Sequence, residues 1–154
     1  MTSSWRITEG SRIGPHHKES GVNQDAYLSG VTSGGITFLA VADGAGSLSL
    51  SHEGAHLAVQ AIADTAQELD SEESLGVIAV HAVVAAQKAL LSHKSPDKVG
   101  CTLAAVFLRE DSWSLLVVGD AFVVLEDADK EMKLYTNESS SEYANITELL
   151  TSSD

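Results

Sequence analysis

Cysteine is nearly absent from the sequence: Cys101 is the only one, and it cannot form a disulfide within the chain. A lone cysteine is typical of a reducing compartment, so we expect a cytoplasmic protein. No segment approaches the roughly 18 consecutive apolar residues of a membrane-spanning helix. Residues 1–6 also lack the basic and then apolar layout of a signal peptide. We therefore expect no contact with a membrane.

Basic residues are also scarce, with 9 lysines and arginines against 22 aspartates and glutamates and a formal net charge of -13. A negative field repels the phosphate backbone of nucleic acids, so we expect no nucleic-acid partner. The same field opposes an anionic substrate unless a local cation or metal reverses its sign. The commonest role of such a charge is solubility.

Aromatic residues make up only 5% of the chain, whereas apolar residues, mainly Ala, Val, Leu and Ile, make up 44%. A chain of 154 residues can bury one real core. We find no internal repeat and assign residues 1–154 to a single domain.

The hydrophobic pattern changes its period along the chain. Apolar residues at helical spacing, from about Ser49 to Leu69 and from Leu75 to Leu90, predict two consecutive helices. Short apolar or alternating segments predict strands at residues 5–13, 26–28, 36–42, 102–108, 112–118, 122–125 and 132–135. Strands, two helices and then a strand meander indicate an α+β fold with an antiparallel sheet.

The final segment, residues 137–154, is rich in Ser, Thr, Glu and Asn, which is typical of a solvated tail. It nevertheless carries Tyr143, Ile146, Leu149 and Leu150 at near-helical spacing. These apolar residues would allow the segment to dock.

The most informative segment is the predicted strand that ends at Asp43 and is followed by Gly44-Ala45-Gly46-Ser47. A carboxylate at the end of a buried strand is held rigidly, and the glycine lets a backbone carbonyl approach the same point. Oxygen ligands of this kind suit a hard divalent cation such as Mg²⁺ or Mn²⁺.

A second acidic motif, Asn23-Gln24-Asp25, lies one short strand upstream. Asp25 and Asp43 can converge at one end of a sheet, because a loop and a strand pair separate them. A divalent ion held there activates water and neutralises a phosphoryl oxygen, which predicts a metal-dependent hydrolase or phosphotransfer site. The alternative is that each aspartate only caps a turn.

The segment His52-Glu53-Gly54-Ala55-His56 matches the H-E-x-x-H pattern of zinc proteases. In that chemistry two histidines on one helical face bind zinc and the glutamate activates water. The context is poor, because Gly54 weakens the helix and no clear third ligand follows.

Three further residues have both a functional and a structural interpretation. His16, in a polar loop before Asp25, either contacts a substrate phosphate or donates a proton to the leaving oxygen, or is simply solvated. Asp120, in the Gly119-Asp120-Ala121 turn, either belongs to an ordinary turn or orients a water on the metal. Cys101 fits the core better than it fits a nucleophile.

Taken in order, four segments resemble the motifs of the metal-dependent protein phosphatases of type 2C, the PPM family. They are Asn23-Gln24-Asp25, Val41-Ala42-Asp43-Gly44, Gly100-Cys101-Thr102-Leu103 and Val118-Gly119-Asp120-Ala121. With His16 nine residues before Asp25, the pattern is most similar to a bacterial subgroup. The resemblance covers nearly the whole chain.

The resemblance implies an αββα sandwich of antiparallel sheets flanked by helices, with two Mn²⁺ or Mg²⁺ ions at one end. It implies that Asp43 bridges the ions, that Gly44 offers its carbonyl and that Asp25 binds metal. Gln24 would hold a water that is bound to the metal. Asp120 would assist catalysis by orienting a metal-bound water without binding the metal itself. The implied substrate is a protein phosphorylated on Ser or Thr, with His16 against the phosphate.

The chain departs from this family pattern at three points. Ala45 stands where the family usually has His, and Ser20 stands where it usually has a phosphate-binding Arg, so His16 or Lys18 would substitute. No aspartate lies between Asp129 and Asp154 to complete a metal site. We therefore expect an incomplete or truncated domain whose open sheet can self-associate.

Three functions follow as hypotheses. The first is a metal-dependent phosphoserine/phosphothreonine phosphatase domain. The second is a catalytically inactive phosphatase-like module that binds a partner or a phosphopeptide. The third is a zinc metalloprotease acting through His52, Glu53 and His56.

Overall fold

The structure is a computed structural model, and it describes residues 5–14, 21–69, 73–110, 112–137 and 150–151. Two helices follow a first pair of strands, and a strand meander follows the helices. The elements are β1 (Asp25–Val31), β2 (Thr37–Gly44), α1 (Ser51–Glu68), α2 (Leu75–Leu91), a 3-10 turn (Pro96–Lys98), β3 (Gly100–Arg109), β4 (Ser112–Val118), β5 (Phe122–Glu126), β6 (Met132–Thr136) and β7 (Leu150–Thr151).

The strand predicted at residues 5–13 is wrong: residues 5–14 form neither strand nor helix. Gly10 and adjacent polar residues interrupt the alternation there, and Trp5 is 51% exposed, so this segment does not bury one apolar face. The other predicted strands are present, and β1 extends well beyond the predicted residues 26–28.

Both predicted helices are confirmed. α1 buries a stripe that consists mostly of alanines and other small residues, including Gly54, Ala55 and Ala58. Ser74 caps the start of α2, because its hydroxyl accepts a hydrogen bond from the Val77 N–H at 3.4 Å. Small residues on both helices allow them to pack closely on each other and on the sheet.

The main sheet has five antiparallel strands. Its order is β1-β2-β3-β4, and the two-residue β7 pairs with the first residues of β3, Gly100 and Cys101. The β2–β3 and β3–β4 pairings are antiparallel. They place Ala42 opposite Leu103 and Leu103 opposite Val118. Leu150 of β7 is buried, so residues 150–151 of the C-terminal segment dock on the sheet, whereas residues 138–149 and 152–154 lie outside the described part.

The face of the sheet that meets the helices forms the core. Alternate residues of the strands point to it, and the period of two makes these positions predictable. The buried cluster combines them with the inner sides of α1 and α2, and its strand members are Ala26, Phe38, Ala40, Ala42, Cys101, Leu103, Ala105, Phe107 and Leu150.

The opposite face of the sheet is partly covered by a two-stranded ribbon, β5–β6. The ring of Trp113 on β4 meets the ring of Tyr135 on β6 edge to face, with centroids 5.5 Å apart. Other large side chains remain exposed there, such as Val41 at 51% and Val31 at 65%. The prediction of self-association through an open sheet stays a prediction.

The α+β class with antiparallel sheets flanked by helices is confirmed. Of the layers of an αββα sandwich, the described residues form one layer of helices and the five-stranded sheet. They also form the two-stranded β5–β6 ribbon. No helix in the described part of the chain has the length and apolar character needed to cross a bilayer.

Candidate active site

Asp25 and Asp43 lie directly opposite each other, on neighbouring strands β1 and β2. Both are on the sheet face away from the helices, because their neighbours Ala26 and Ala42 point into the core. Thr102 of β3 follows in the same cross-strand row, paired with Asp43. Two carboxylates and a hydroxyl therefore line up across three strands.

The hydrogen-bond pattern brings the two carboxylates close together. The Gly44 N–H donates to the Gln24 carbonyl at 3.1 Å, so the pair next to the aspartates is the hydrogen-bonded one. In an antiparallel ladder the neighbouring pair is then the non-bonded kind, whose Cα atoms approach to about 4.5 Å. Like charges at such a position repel each other unless a cation lies between them.

A small hydrogen-bond network orients Asp25 from the segment before β1. The Ser11 hydroxyl donates to the Asp25 carboxylate at 3.3 Å, and the Asn23 side-chain amide donates to the Ser11 oxygen at 2.7 Å. The Asp25 N–H in turn donates to the Asn23 side-chain oxygen at 3.3 Å. Residues 5–14, though not a strand, therefore contribute to the site.

Gly44 occupies a position where no side chain fits. A Cβ atom there would lie 2.7 Å from the Gln24 carbonyl oxygen and 2.8 Å from the backbone of Ser51. The end of β2, the residue before β1 and the start of α1 thus meet at this glycine. Gln24 and Gly44 lie beside the two aspartates, bonded to each other, outside the lining of the groove described next.

The aspartates open into a groove of about 620 Å³. Its walls come from residues 10–12, the ends of β1 and β2, Thr102, Asp120 in the turn after β4, and Phe122 at the start of β5. Gly119 adopts a positive φ of 82°, a conformation that favours glycine, and so turns the chain toward the groove at Asp120. The structure therefore brings Asp25, Asp43 and Asp120 to one groove.

Arg12 is the only basic residue among the described residues that line this groove. The sequence predicts that His16 or Lys18, and not Arg12, contacts a bound phosphate. Both of those residues lie outside the described residues. Arg12 could be found only by knowing how residues 10–12 fold back against β1, which no motif indicates.

Cys101 lies behind the site, on the core side of β3 and paired with Gly44. Burial, and secondarily the negative charge of Asp43, raises the pKa of this thiol from 9.0 to about 12. The thiol is therefore neutral at physiological pH and packs as a core residue, as expected.

The zinc-protease motif lies at a different place, in a pocket of about 490 Å³ lined by His52, Glu53, His56 and also His93. His93 is the third histidine that the sequence did not indicate, but both of its ring nitrogens are engaged. Its Nε2 contacts Glu53 at 3.0 Å and its Nδ1 accepts from the Ser95 N–H at 3.1 Å. This geometry does not support a zinc site.

The carboxylates at the groove are of the chemical type that binds a hard divalent cation. Asp25 and Asp43 offer carboxylate oxygens from adjacent strands, and Mg²⁺ is often bound by one or two carboxylates with several waters. Within the described ranges, no three His, Cys, Asp or Glu side chains are grouped so as to hold a metal ion. The pair is thus a partial ligand set for such an ion.

Two comparisons with known proteins gave a match. The family model described as Protein phosphatase 2C matches residues 13–154. The Serine/threonine-protein phosphatase 3 of Escherichia coli (strain K12) is 30% identical over 167 residues, an alignment that covers 98% of this chain. The chain spans 64% of the length of that relative.

Proposed function

The chain belongs to the protein phosphatase 2C family, and from this premise we propose that it is a metal-dependent phosphatase domain acting on phosphoserine and phosphothreonine in proteins. The observation that carries the proposal is the direct opposition of Asp25 and Asp43 at the end of a groove that also receives Asp120. The similarity to the Escherichia coli phosphatase supports the same reaction class and a bacterial type of enzyme.

Asp25 and Asp43 would hold Mn²⁺ or Mg²⁺, two ions in a complete site, together with the carbonyl of Gly44. The cation would supply an activated water and neutralise charge on the phosphoryl group. Gln24, whose carbonyl is bonded to Gly44, would keep a water beside the ion. The facing carboxylates support this assignment, because a positive charge between them would relieve their mutual repulsion.

The other groove residues would act on the substrate. Arg12 would bind the phosphoryl oxygens and offset the negative field of the chain at this point. Asp120 would accept a hydrogen bond from the attacking water and so orient it. The water oxygen would bond to phosphorus as the bond to the Ser or Thr oxygen breaks. The products would be inorganic phosphate and the free hydroxyl, with His16 a further candidate for phosphate contact.

The direct test is release of phosphate from a phosphoserine peptide, measured with Mn²⁺ and with chelator. We expect Mn²⁺-dependent release that Asp43→Asn abolishes, because the variant lacks one of the two facing charges. Asp64→Asn is the matched control, since Asp64 is exposed on α1 and pairs with Gln60 outside the groove. Undiminished release by Asp43→Asn would contradict the assigned role.

A binding module without turnover is the second candidate, and the absence of a three-ligand group among the described residues favours it. It predicts that a phosphopeptide binds without release of phosphate. Binding measured by fluorescence anisotropy, weakened by Arg12→Ala while no phosphate appears, would support this candidate over the enzyme. We keep a phosphoprotein partner and a cytoplasmic location as predictions under either function.

A further inference from the structure

The connection between α2 and β3, residues 92–99, is bonded to the loop that follows Asp43 and Gly44. This loop, residues 45–50, is held at both ends. The Leu50 N–H donates to the carbonyl of Lys98 in the connection at 3.1 Å, and the Ala45 N–H donates at 3.0 Å to the carbonyl of Gly100, the first residue of β3. Because Gly100 directly follows the connection, the position of the loop depends on where the connection lies.

His93 joins this connection to the first turn of α1. Its Nδ1 accepts a hydrogen bond from the Ser95 N–H, so the proton of the neutral ring is on Nε2 and is donated to the Glu53 carboxylate at 3.0 Å. The His93 side chain is 10% exposed and the Glu53 side chain 36% exposed, so the bond is partly shielded from water. The same bond lowers the pKa of Glu53, so the carboxylate remains charged.

The start of α1 is packed too tightly to move independently. A Cβ on Gly54 would lie 2.9 Å from the Gly100 nitrogen, so the helix and β3 are in close contact there. The backbone of Ser51 lies equally close to Gly44, and the Gly44 N–H is hydrogen-bonded to the Gln24 carbonyl. A shift of the first turn of α1 would therefore reach the residues next to Asp43 and Asp25.

We propose that His93 is a positioning residue for the metal-binding end of β2. By tying Glu53 to the connection, it holds residues 45–50 and the start of α1 where Gly44 and Asp43 face Asp25. The effect on metal affinity rests on the proposed function, whereas the effect on the loop does not.

Substitutions at His93 separate its two hydrogen bonds. His93→Gln keeps a donor near the place of Nε2 and so retains the bond to Glu53. His93→Asn keeps an acceptor near the place of Nδ1 and retains only the bond from Ser95, and His93→Ala removes both. His81→Ala is the control, because His81 is exposed on α2.

Two readouts test the proposal. Hydrogen exchange by NMR at the Ala45 and Leu50 amides reports the loop, and the dissociation constant of Mn²⁺ by EPR reports the site. For His93→Ala and His93→Asn we expect about tenfold faster exchange at both amides and about tenfold weaker Mn²⁺ binding, as for loss of one hydrogen bond to a charged group. His93→Gln and His81→Ala should match the wild type in both.

Unchanged exchange at Ala45 and Leu50 in His93→Ala would overturn the proposal. So would equal acceleration at amides throughout the sheet, because that outcome reports general loss of stability. Faster exchange at the loop with unchanged Mn²⁺ affinity would overturn the link to the site. A wild-type protein that binds no Mn²⁺ would overturn the proposed function instead, and the exchange rates would still decide what His93 does to the loop.

Discussion

The two faces of the five-stranded sheet are built from the same strands but differ in what they bury. On the helix side, residues such as Ala42, Leu103 and Phe107 are almost completely buried. On the other side, Asp43 and Val41 of β2 alternate with them and are exposed, whereas Thr102 and Ala104 of the inner strand β3 are buried there as well. Successive side chains point to opposite faces, so stability and the candidate chemistry are assigned to alternate positions of the same strands.

Substitutions one residue apart in these strands should therefore have different effects on packing and on the candidate site. A change on the helix side removes packing that the whole fold depends on. A change on the opposite side alters charge and ligands while leaving most of the buried area intact. The four predictions below test this separation.

The largest expected effect comes from two phenylalanines in different environments. Phe107 is fully buried against the helices, whereas Phe122 is 62% exposed on the ribbon. Phe107→Ala should lower the free energy of unfolding by about 3–5 kcal/mol, through lost burial and a cavity. Phe122→Ala should change it by less than about 0.5 kcal/mol. Urea unfolding followed by circular dichroism measures both, and similar losses in the two variants would break the comparison.

Gly44 is the point where the two faces are coupled. Gly44→Ala should cost about 2 kcal/mol or more, because the new methyl group would meet backbone atoms at 2.7–2.8 Å that cannot yield as a side chain does. It should also weaken Mn²⁺ binding, measured by titration. Gly76→Ala, in open space on α2, is the matched control and should stabilise by roughly 0.5 kcal/mol. A Gly44→Ala protein as stable as the wild type would contradict the close packing.

The Cys101 thiol tests how completely the helix side of the sheet excludes water. Its pKa is raised from 9.0 to about 12, so the unfolded chain loses this proton at lower pH than the native protein does. The contribution is therefore fully present below about pH 9 and is lost as pH rises toward 12. The loss amounts to at most about 1.4 kcal/mol per pH unit.

The measurement for Cys101 is the unfolding free energy between pH 8 and pH 10.5, compared with Cys101→Ala. The variant lacks this thiol but keeps the lysines and tyrosines that also titrate, so the difference in slope isolates Cys101. We expect the steeper decline in the wild type. Parallel curves would indicate that the thiol is accessible to water.

The smallest effect concerns the carboxylate pair. Asp25→Asn removes one of two like charges that face each other, so the metal-free variant should be more stable than the wild type by about 0.5 kcal/mol. Added Mn²⁺ should raise the melting temperature of the wild type and have little effect on the variant. A metal-free variant less stable than the wild type would show that Asp25 contributes structural hydrogen bonds that outweigh the repulsion.

Much of the fold could be predicted because its signals are local. The helical spacing of residues such as Ala58 and Ile62 and the cap at Ser74 act within a few residues of the chain. The strands after α2 were equally clear. The predicted strand at residues 5–13 failed because strand formation depends on a partner and a buried face, and neither is encoded in the segment itself.

The candidate site could be predicted only in part, for the same reason. Asp25, Asp43 and Asp120 were identified from the motifs around them, and their meeting at one groove is a result of strand pairing. Arg12 and the His93–Glu53 bond carry no motif, because each joins parts of the chain whose contact depends on the complete fold.

The sequence by itself determined the two helices and most of the strands, which alternate positions are apolar and which short motifs carry carboxylates beside glycines. These properties follow from local backbone preferences and from the periods of helix and strand. Only the tertiary structure decided that Asp25 faces Asp43, that Arg12 lines their groove and that His93 contacts Glu53. Such distances depend on the register and packing of segments that are far apart in the chain, and no local preference specifies them.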